Sequence, residues 1–208
     1  MILIGQFDSP FVRRVAIALR LYELPFDHKP WSTFGDGDKI APYNPLMRVP
    51  TLVLDDGEVL IESTAILDYL DERVGPGRAM IAEAGKERRQ ALKICALATG
   101  LGDKAVSLVY EKVLHENESD RWIERCRAQI GGVLETLERD RAARKSRFWF
   151  GETIGHADIA AACVLRFTRE AHGPLFDAGA YPALATHADR CEALPAFREI
   201  VQPLIPPK

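Results

Sequence analysis

No apolar run in this chain approaches the ~18 residues that a membrane-spanning helix needs. No basic leader followed by an apolar core opens it either; the first residues, MILIG, are too short for a signal peptide and read as a strand. A cytoplasmic protein with no membrane partner is therefore expected. An excess of positive charge is also missing. The 208 residues include 27 Lys or Arg and 30 Asp or Glu, a net charge of −3. Residues 1–80 hold 8 basic and 12 acidic side chains and residues 81–208 hold 19 and 18, so neither part has the basic footprint of phosphate-backbone binding. Nucleic acid is thus excluded as an expected partner, and the clusters ERR and RAARKSR read as solvated helix faces. Cysteine is sparse: Cys95, Cys126, Cys163 and Cys191 lie far apart in helical patterns, with no metal-ligand or redox spacing. They read as buried reduced thiols, and no metal site is expected.

What is there falls into two grammars. The first 75 residues mix short strands with helices. Met1–Gln6 is an apolar strand, and from Pro10 to about Glu23 apolar residues recur at helical spacing through Val12, Val15, Ala16 and Leu19, until Leu24-Pro25 ends the pattern. Phe26–Trp31 reads as a second strand, and the turn-rich segment STFGDGDKIAPYN admits no firm assignment. Thr51–Leu54 and Glu58–Ile61 flank Asp55-Asp56-Gly57, a hairpin signal, and Ser63–Arg73 is helical with Gly75 beyond its end. The order is β-α-β-(loop or helix)-β-β-α, a small sheet with helices packed on it. After the linker-like GPGR the chain is all helical. Glu83–Asn117 and Ser119–Arg147 form a long proline-free pair, and shorter helices are expected near 156–171, 182–192 and 195–202.

The most specific stretch is NPLMRVPTLVLDDGEVLIESTAILDYLDE, Asn44 to Glu72. It carries Asn44-Pro45, then Val49-Pro50-Thr51-Leu52, the Asp56-Gly57 turn and Glu62-Ser63 opening a helix. In this it closely resembles the cytosolic glutathione transferases, and the strand–Ser–Pro–helix opening at Ile2–Leu21 and the helical second half extend the match over nearly the whole chain. The resemblance implies an α/β thioredoxin-like N-terminal domain (β-α-β-α-β-β-α) at 1–76, a linker at 77–85 and an all-α C-terminal domain at 86–208. It also implies glutathione as co-substrate, a homodimer and a small hydrophobic electrophile as second substrate.

Site residues follow from the same resemblance. A cis Val49-Pro50 bond would turn the chain before a strand and leave the Val49 N–H and C=O free to pair with an extended peptide. Ser63, read as a helix N-cap, and the amides after it form an anion site suited to the γ-glutamyl carboxylate, with Glu62 for its ammonium group. Ser9 fits two descriptions locally: a cap before Pro10, or a hydroxyl aimed at a ligand. The family pattern favours the second, with the hydroxyl donating to the glutathione thiolate. Cysteine is absent from this opening and no tyrosine precedes Tyr22, which argues against disulfide exchange and against a tyrosine-type site. Arg48 either meets the glycine carboxylate of glutathione or stays solvated, and Trp31, Ser32 and Lys39 lie in the loop that contacts the same end. Asp103 is a candidate for reaching across a dimer, and Phe11, Phe34 and Tyr110 are candidates for an apolar electrophile pocket. In GHADIAAACVL, Gly155 stands where relatives cap a buried helix with Ser or Thr, and Asp158 is read as structural. The expected activity is conjugation of glutathione to an electrophile, or an isomerase or peroxidase reaction of the same thiolate. The alternative is a non-enzymatic module of this fold in stress response or translation.

Overall fold

The computed structural model describes residues 1–205. Its first part is a four-stranded sheet in the order β2-β1-β3-β4: β1 Ile2–Ile4, β2 Asp27–Lys29, β3 Thr51–Val53 and β4 Val59–Ile61. β1 runs parallel to β2 and antiparallel to β3, and β3 and β4 form the hairpin around Asp56-Gly57. The first crossover is α1, Pro10–Leu21. The turn-rich segment that sequence left open holds a short helix, α2 Gly37–Ile40, whose start is organised by Asp36 accepting from the Ser32 N–H and the Lys39 ammonium. After the hairpin comes α3, Ser63–Val74, ended by Gly75 at positive φ.

The helical part comprises α4 Gly85–Leu114, α5 Asp120–Ala142, α6 His156–Ala171, α7 Pro182–Glu192 and α8 Pro195–Glu199, with a 3-10 turn at Gly173–Leu175. α4, α5 and α8 stop earlier than their patterns suggest. Past α5, the guanidiniums of Arg141 and Arg144 take the carbonyls of Ser146, Arg147 and Trp149, which folds the chain back on the helix. α8 ends at Glu199 because Ile200 is buried with its carbonyl held by Arg13, and Gln202 precedes a proline, which disfavours helical backbone there.

α6 is buried along nearly its whole length, and its run Ala160-Ala161-Ala162-Cys163 lets α1 and α4 approach closely. One apolar core joins Val12, Val15 and Leu19 of α1 with Leu52, Ile66 and Leu70, and continues into Ile159, Ala162 and Phe197 of the helical part. Arg13 fastens the two parts by a bidentate pair with Glu192 (2.6 and 2.8 Å) and a bond to the Ile200 carbonyl (2.8 Å). At the start of α6, Asp158 accepts from the Gly155 N–H (2.8 Å) and the Trp149 N–H (2.7 Å) and lies 3.2 Å from His187. Gly155 returns no side-chain bond, and a Cβ there would sit 2.9 Å from the Met80 carbonyl oxygen. The small residue is therefore required by the close approach of backbone, and the cap is half made. All four cysteines are buried and free, and burial raises each thiol, that of Cys163 to about 11, so they remain protonated at neutral pH.

Candidate active site

Three chain segments converge where the sheet faces α4. The first is the β1–α1 connection. Gly5 lies at φ +127°, where a Cβ would come within 2.7 Å of the Val49 Cβ and 2.5 Å of a Val12 methyl, so only glycine lets β1 pass this close to the Val49 segment. Ser9 then takes the N-cap position of α1 with Pro10 as the first helical residue. Its Oγ accepts from the Val12 N–H at a long 3.4 Å. A hydroxyl has one donor and two acceptor sites, so capping leaves the O–H proton free to donate into the cleft that Ser9 also lines. The two local descriptions of Ser9 are therefore compatible.

The second segment is 44–50. The Val49–Pro50 bond is cis. Asn44, fully buried, staples this turn: its amide donates to the Arg48 carbonyl (2.9 Å) and Thr51 Oγ1 (3.3 Å), and its oxygen accepts from the Leu46 N–H. Among the described residues nothing in the backbone network takes the Val49 N–H or C=O.

The third segment is 61–64, and here one expectation is corrected. Ser63 is not the N-cap of α3 but its first residue; Glu62 is the cap, with its carboxylate accepting from the Thr64 N–H (3.0 Å). Glu62 adopts φ +71°, a conformation that costs a non-glycine residue about 1–3 kcal/mol and tends to be kept where it positions a working group. The result turns Ser63 inward and leaves Glu62 exposed. Ser63 Oγ donates to Glu62 Oε1 (3.2 Å) and accepts from Arg14 Nη1 (3.2 Å). Arg14, in the middle of α1, is buried at 2% exposure, its Nε has no partner, and desolvation lowers its pKa.

These segments line two adjoining hollows. The smaller, about 230 Å³, is bordered by Arg48, Val49, Pro50, Glu62, Ser63 and, from α4, Asp103. The larger, about 490 Å³, is bordered by Ser9, Phe11, Phe34, Val49 and Tyr110. Phe11, Arg48 and Val49 border both. Trp31 and Ser32 line the larger cleft, whereas Lys39 lies in neither and pairs with Asp36 at 2.6 Å. The Phe34 and Tyr110 rings meet edge to face, 5.0 Å between centroids, and bring the 32–35 loop against α4. Asp103 reaches the hollow of its own chain, 3.9 Å from the Arg48 guanidinium; burial raises its carboxyl pKa and Arg48 opposes the rise. Sequence reasoning missed Arg14, the polar wall residues Thr33 and Thr99, and the 201–205 strap that carries Leu204 and Ile205 to the cleft. No periodicity marks such residues, because their burial arises from segments distant in the chain.

Family models for the glutathione S-transferase N-terminal and C-terminal domains match residues 3–78 and 120–190. The chain is 32% identical to the maleylacetoacetate isomerase of Pseudomonas aeruginosa, over 96% of this chain and 94% of that protein. It belongs to the glutathione S-transferase family. Among curated glutathione S-transferase relatives, a GST-like protein of Escherichia coli, YibF, is 31% identical over 83% of this chain and 86% of its own length. Among solved glutathione S-transferase structures, one from Methylobacterium radiotolerans, in complex with glutathione sulfonate, superposes with a TM-score of 0.90 at 29% identity, covering 98% of this chain and 95% of that one. Another, from Methylobacillus flagellatus with glutathione bound, gives 0.87 at 28% identity, covering 96% and 98%. The glutathione S-transferase fold expected from sequence, a mixed four-stranded sheet followed by helices, is the fold observed. Among the described residues no helix is long and apolar enough to cross a membrane, and no cluster of three His, Cys, Asp or Glu could hold a metal ion.

Proposed function

We propose that this chain activates the thiol of glutathione and directs it at an apolar electrophile in the larger cleft, as conjugation or as an isomerisation by the same thiolate. The observation that carries the reading is the free backbone edge at Val49, placed between the starts of α1 and α3 and open to both hollows. A tripeptide laid along that edge pairs with Val49 as an added half-strand. Its γ-glutamyl carboxylate falls at the first turn of α3, where the Ser63 N–H, and the Ser63 hydroxyl on turning from Glu62, supply donors and buried Arg14 supplies positive charge beneath them. Glu62 and Asp103 are the acids for the ammonium group, and Arg48 the cation for the glycine carboxylate. The cysteinyl sulfur then lies at the N-terminus of α1, facing the Ser9 hydroxyl.

The magnitudes are adequate. A free thiol with pKa about 8.5 is only ~3% thiolate at pH 7, and a fall to ~6.5 makes it about three-quarters thiolate. Two pKa units correspond to ~2.7 kcal/mol. One hydrogen bond to an anion contributes ~1.5–3 kcal/mol and a helix end ~0.3–1 kcal/mol. The hydroxyl donates to the thiolate and the thiolate attacks, with no covalent bond to the protein. Ser9→Ala should lower turnover of 1-chloro-2,4-dinitrobenzene with glutathione at least tenfold while calorimetry still shows glutathione binding. Unchanged turnover removes Ser9 from the mechanism; absence of both binding and turnover in the parent protein turns the reading to the non-catalytic module.

The isomerase form is supported by the 32% identity to a maleylacetoacetate isomerase over 96% of this chain. A homodimer is proposed on family grounds.

A further inference from the structure

The larger cleft contains two charged side chains among its lining residues, Asp8 and Arg48. Arg48 borders both hollows and lies 3.9 Å from Asp103, and in the reading above the glycine carboxylate of glutathione engages it. Asp8 is differently placed. It immediately precedes Ser9 and is half-buried, and its Oδ2 accepts from the Ile205 N–H (3.3 Å), so the 201–205 strap is tied to it. The same strap is tied by Gln202 to the Phe7 N–H (3.1 Å) and by the Leu204 N–H to Glu170 (2.9 Å). Glu170 is paired with Arg166 (2.8 Å), and Glu192, which also meets Arg166, is held by Arg13, so this group behind the strap is balanced in charge and Asp8 is left as the cleft's own anion. The apolar walls combine the rings of Trp31, Phe11, Phe167 and the Phe34–Tyr110 pair with aliphatic side chains from α4 and the strap.

We infer that Asp8 determines specificity, so that the cleft accepts uncharged planar electrophiles and rejects those bearing a carboxylate. This rests on the proposed function, because it assumes that glutathione occupies Arg48 and that the electrophile enters beside Ser9. A carboxylate on the incoming ring leaves water for a space whose remaining charge is negative and whose walls offer it no cation. Like charges in such a place repel more strongly than in bulk water, since part of the surrounding dielectric is protein. An uncharged ring loses nothing comparable and gains contact with the aromatic walls.

The test uses two electrophiles of one shape, 4-chloro-3,5-dinitrobenzamide and 4-chloro-3,5-dinitrobenzoate, with glutathione. Each kcat/KM is divided by the uncatalysed rate constant of the same compound, which removes the difference in ring activation. The parent protein should favour the amide at least tenfold. Asp8→Asn, which keeps an acceptor for the Ile205 N–H, should bring the preference within threefold, and Asp8→Glu should restore it. A preference under threefold in the parent protein, or one that Asp8→Asn leaves unchanged, overturns the inference while conjugation stands. Failure to accelerate either compound, with no thermal shift on adding glutathione, takes down the proposed function and this inference together.

Discussion

A buried arginine with one hydrogen-bond partner is costly, and Arg14 is such a residue. Its cationic form is penalised by desolvation, and among the described residues its Nε is unpaired and its one side-chain partner is Ser63, 3.2 Å away. Removing a charge of this kind leaves no stranded counter-ion, so the fold should lose little by its removal. The ligand should lose more, because the positive charge lies directly under the first turn of α3, where a carboxylate is proposed to bind. Arg14→Met is therefore expected to change Tm by only a few degrees and to weaken glutathione binding by at least tenfold, both measurable by scanning and titration calorimetry. An unchanged dissociation constant would make Arg14 a packing residue alone. Asn44 shows the opposite balance: every polar atom of its amide is used within the turn that presents Val49, so its contribution is to shape rather than to the ligand.

At the scale of elements, α7 receives from a neighbour what its own sequence omits. α7 begins at Pro182 with Tyr181 in the cap position, and Tyr181 makes no side-chain cap. Glu138 of α5 takes that role from a distance, its two oxygens accepting from the Ala183 and Leu184 N–H groups (2.9 and 2.8 Å). Charge-assisted bonds of this kind contribute ~1.5–3 kcal/mol to stability, and the helix dipole adds to them. Glu138→Ala should lower the unfolding free energy by about 2 kcal/mol in urea titrations, with Glu138→Gln in between because the amide keeps one acceptor. An alanine variant as stable as the parent would show that water replaces the carboxylate at no cost. α6 differs in that its own Asp158 takes the Gly155 N–H and ties the helix start to Trp149 and His187, while Gly155 makes room for the Met80 carbonyl.

Across the whole molecule, a buried network joins the two parts beside the α1–α6 contact. Asp71 of α3 accepts from Tyr22 at the end of α1, from the Met80 N–H (3.3 Å) and from His156 at the start of α6 (2.9 Å). Burial opposes ionisation of Asp71, yet His156 and these donors outweigh it and hold the carboxyl below its ordinary value. A carboxyl with a depressed folded pKa stabilises the fold above its unfolded value, ~3.9, and that contribution is lost as pH falls through the folded value. Stability should therefore drop as pH falls below about 4, and Asp71→Asn should flatten that part of the profile in urea titrations at stepped pH. A variant with the parent's acid slope would assign the loss to other carboxylates.

Legibility from sequence followed the range of the interactions. Strand and helix positions, the hairpin and the Asn-Pro…Val-Pro…Glu-Ser pattern are local, so residues within a few positions of one another disclosed them. Ser9, Val49 and Ser63 were named for the same reason, each being a short-range signal at the end of an element. Arg13 and Arg14 were opaque: in a linear pattern two adjacent arginines look solvated, but the α7–α8 segment takes Arg13 and α3 takes Arg14, and each is left 2% exposed. The exchange of cap between Glu62 and Ser63 was hidden likewise, since it depends on which way Arg14 draws the hydroxyl.

Periodicity, turn chemistry and motif spacing thus carried the chain from residues to elements and to its family without coordinates, because hydrogen bonds within an element and the alternation of its faces act between near neighbours. Which charges are buried, which carboxylate faces the cleft and how the 201–205 strap meets Asp8 depended on chain packing. Those contacts join residues up to 197 positions apart, and only the closing of helices over the sheet brings them together.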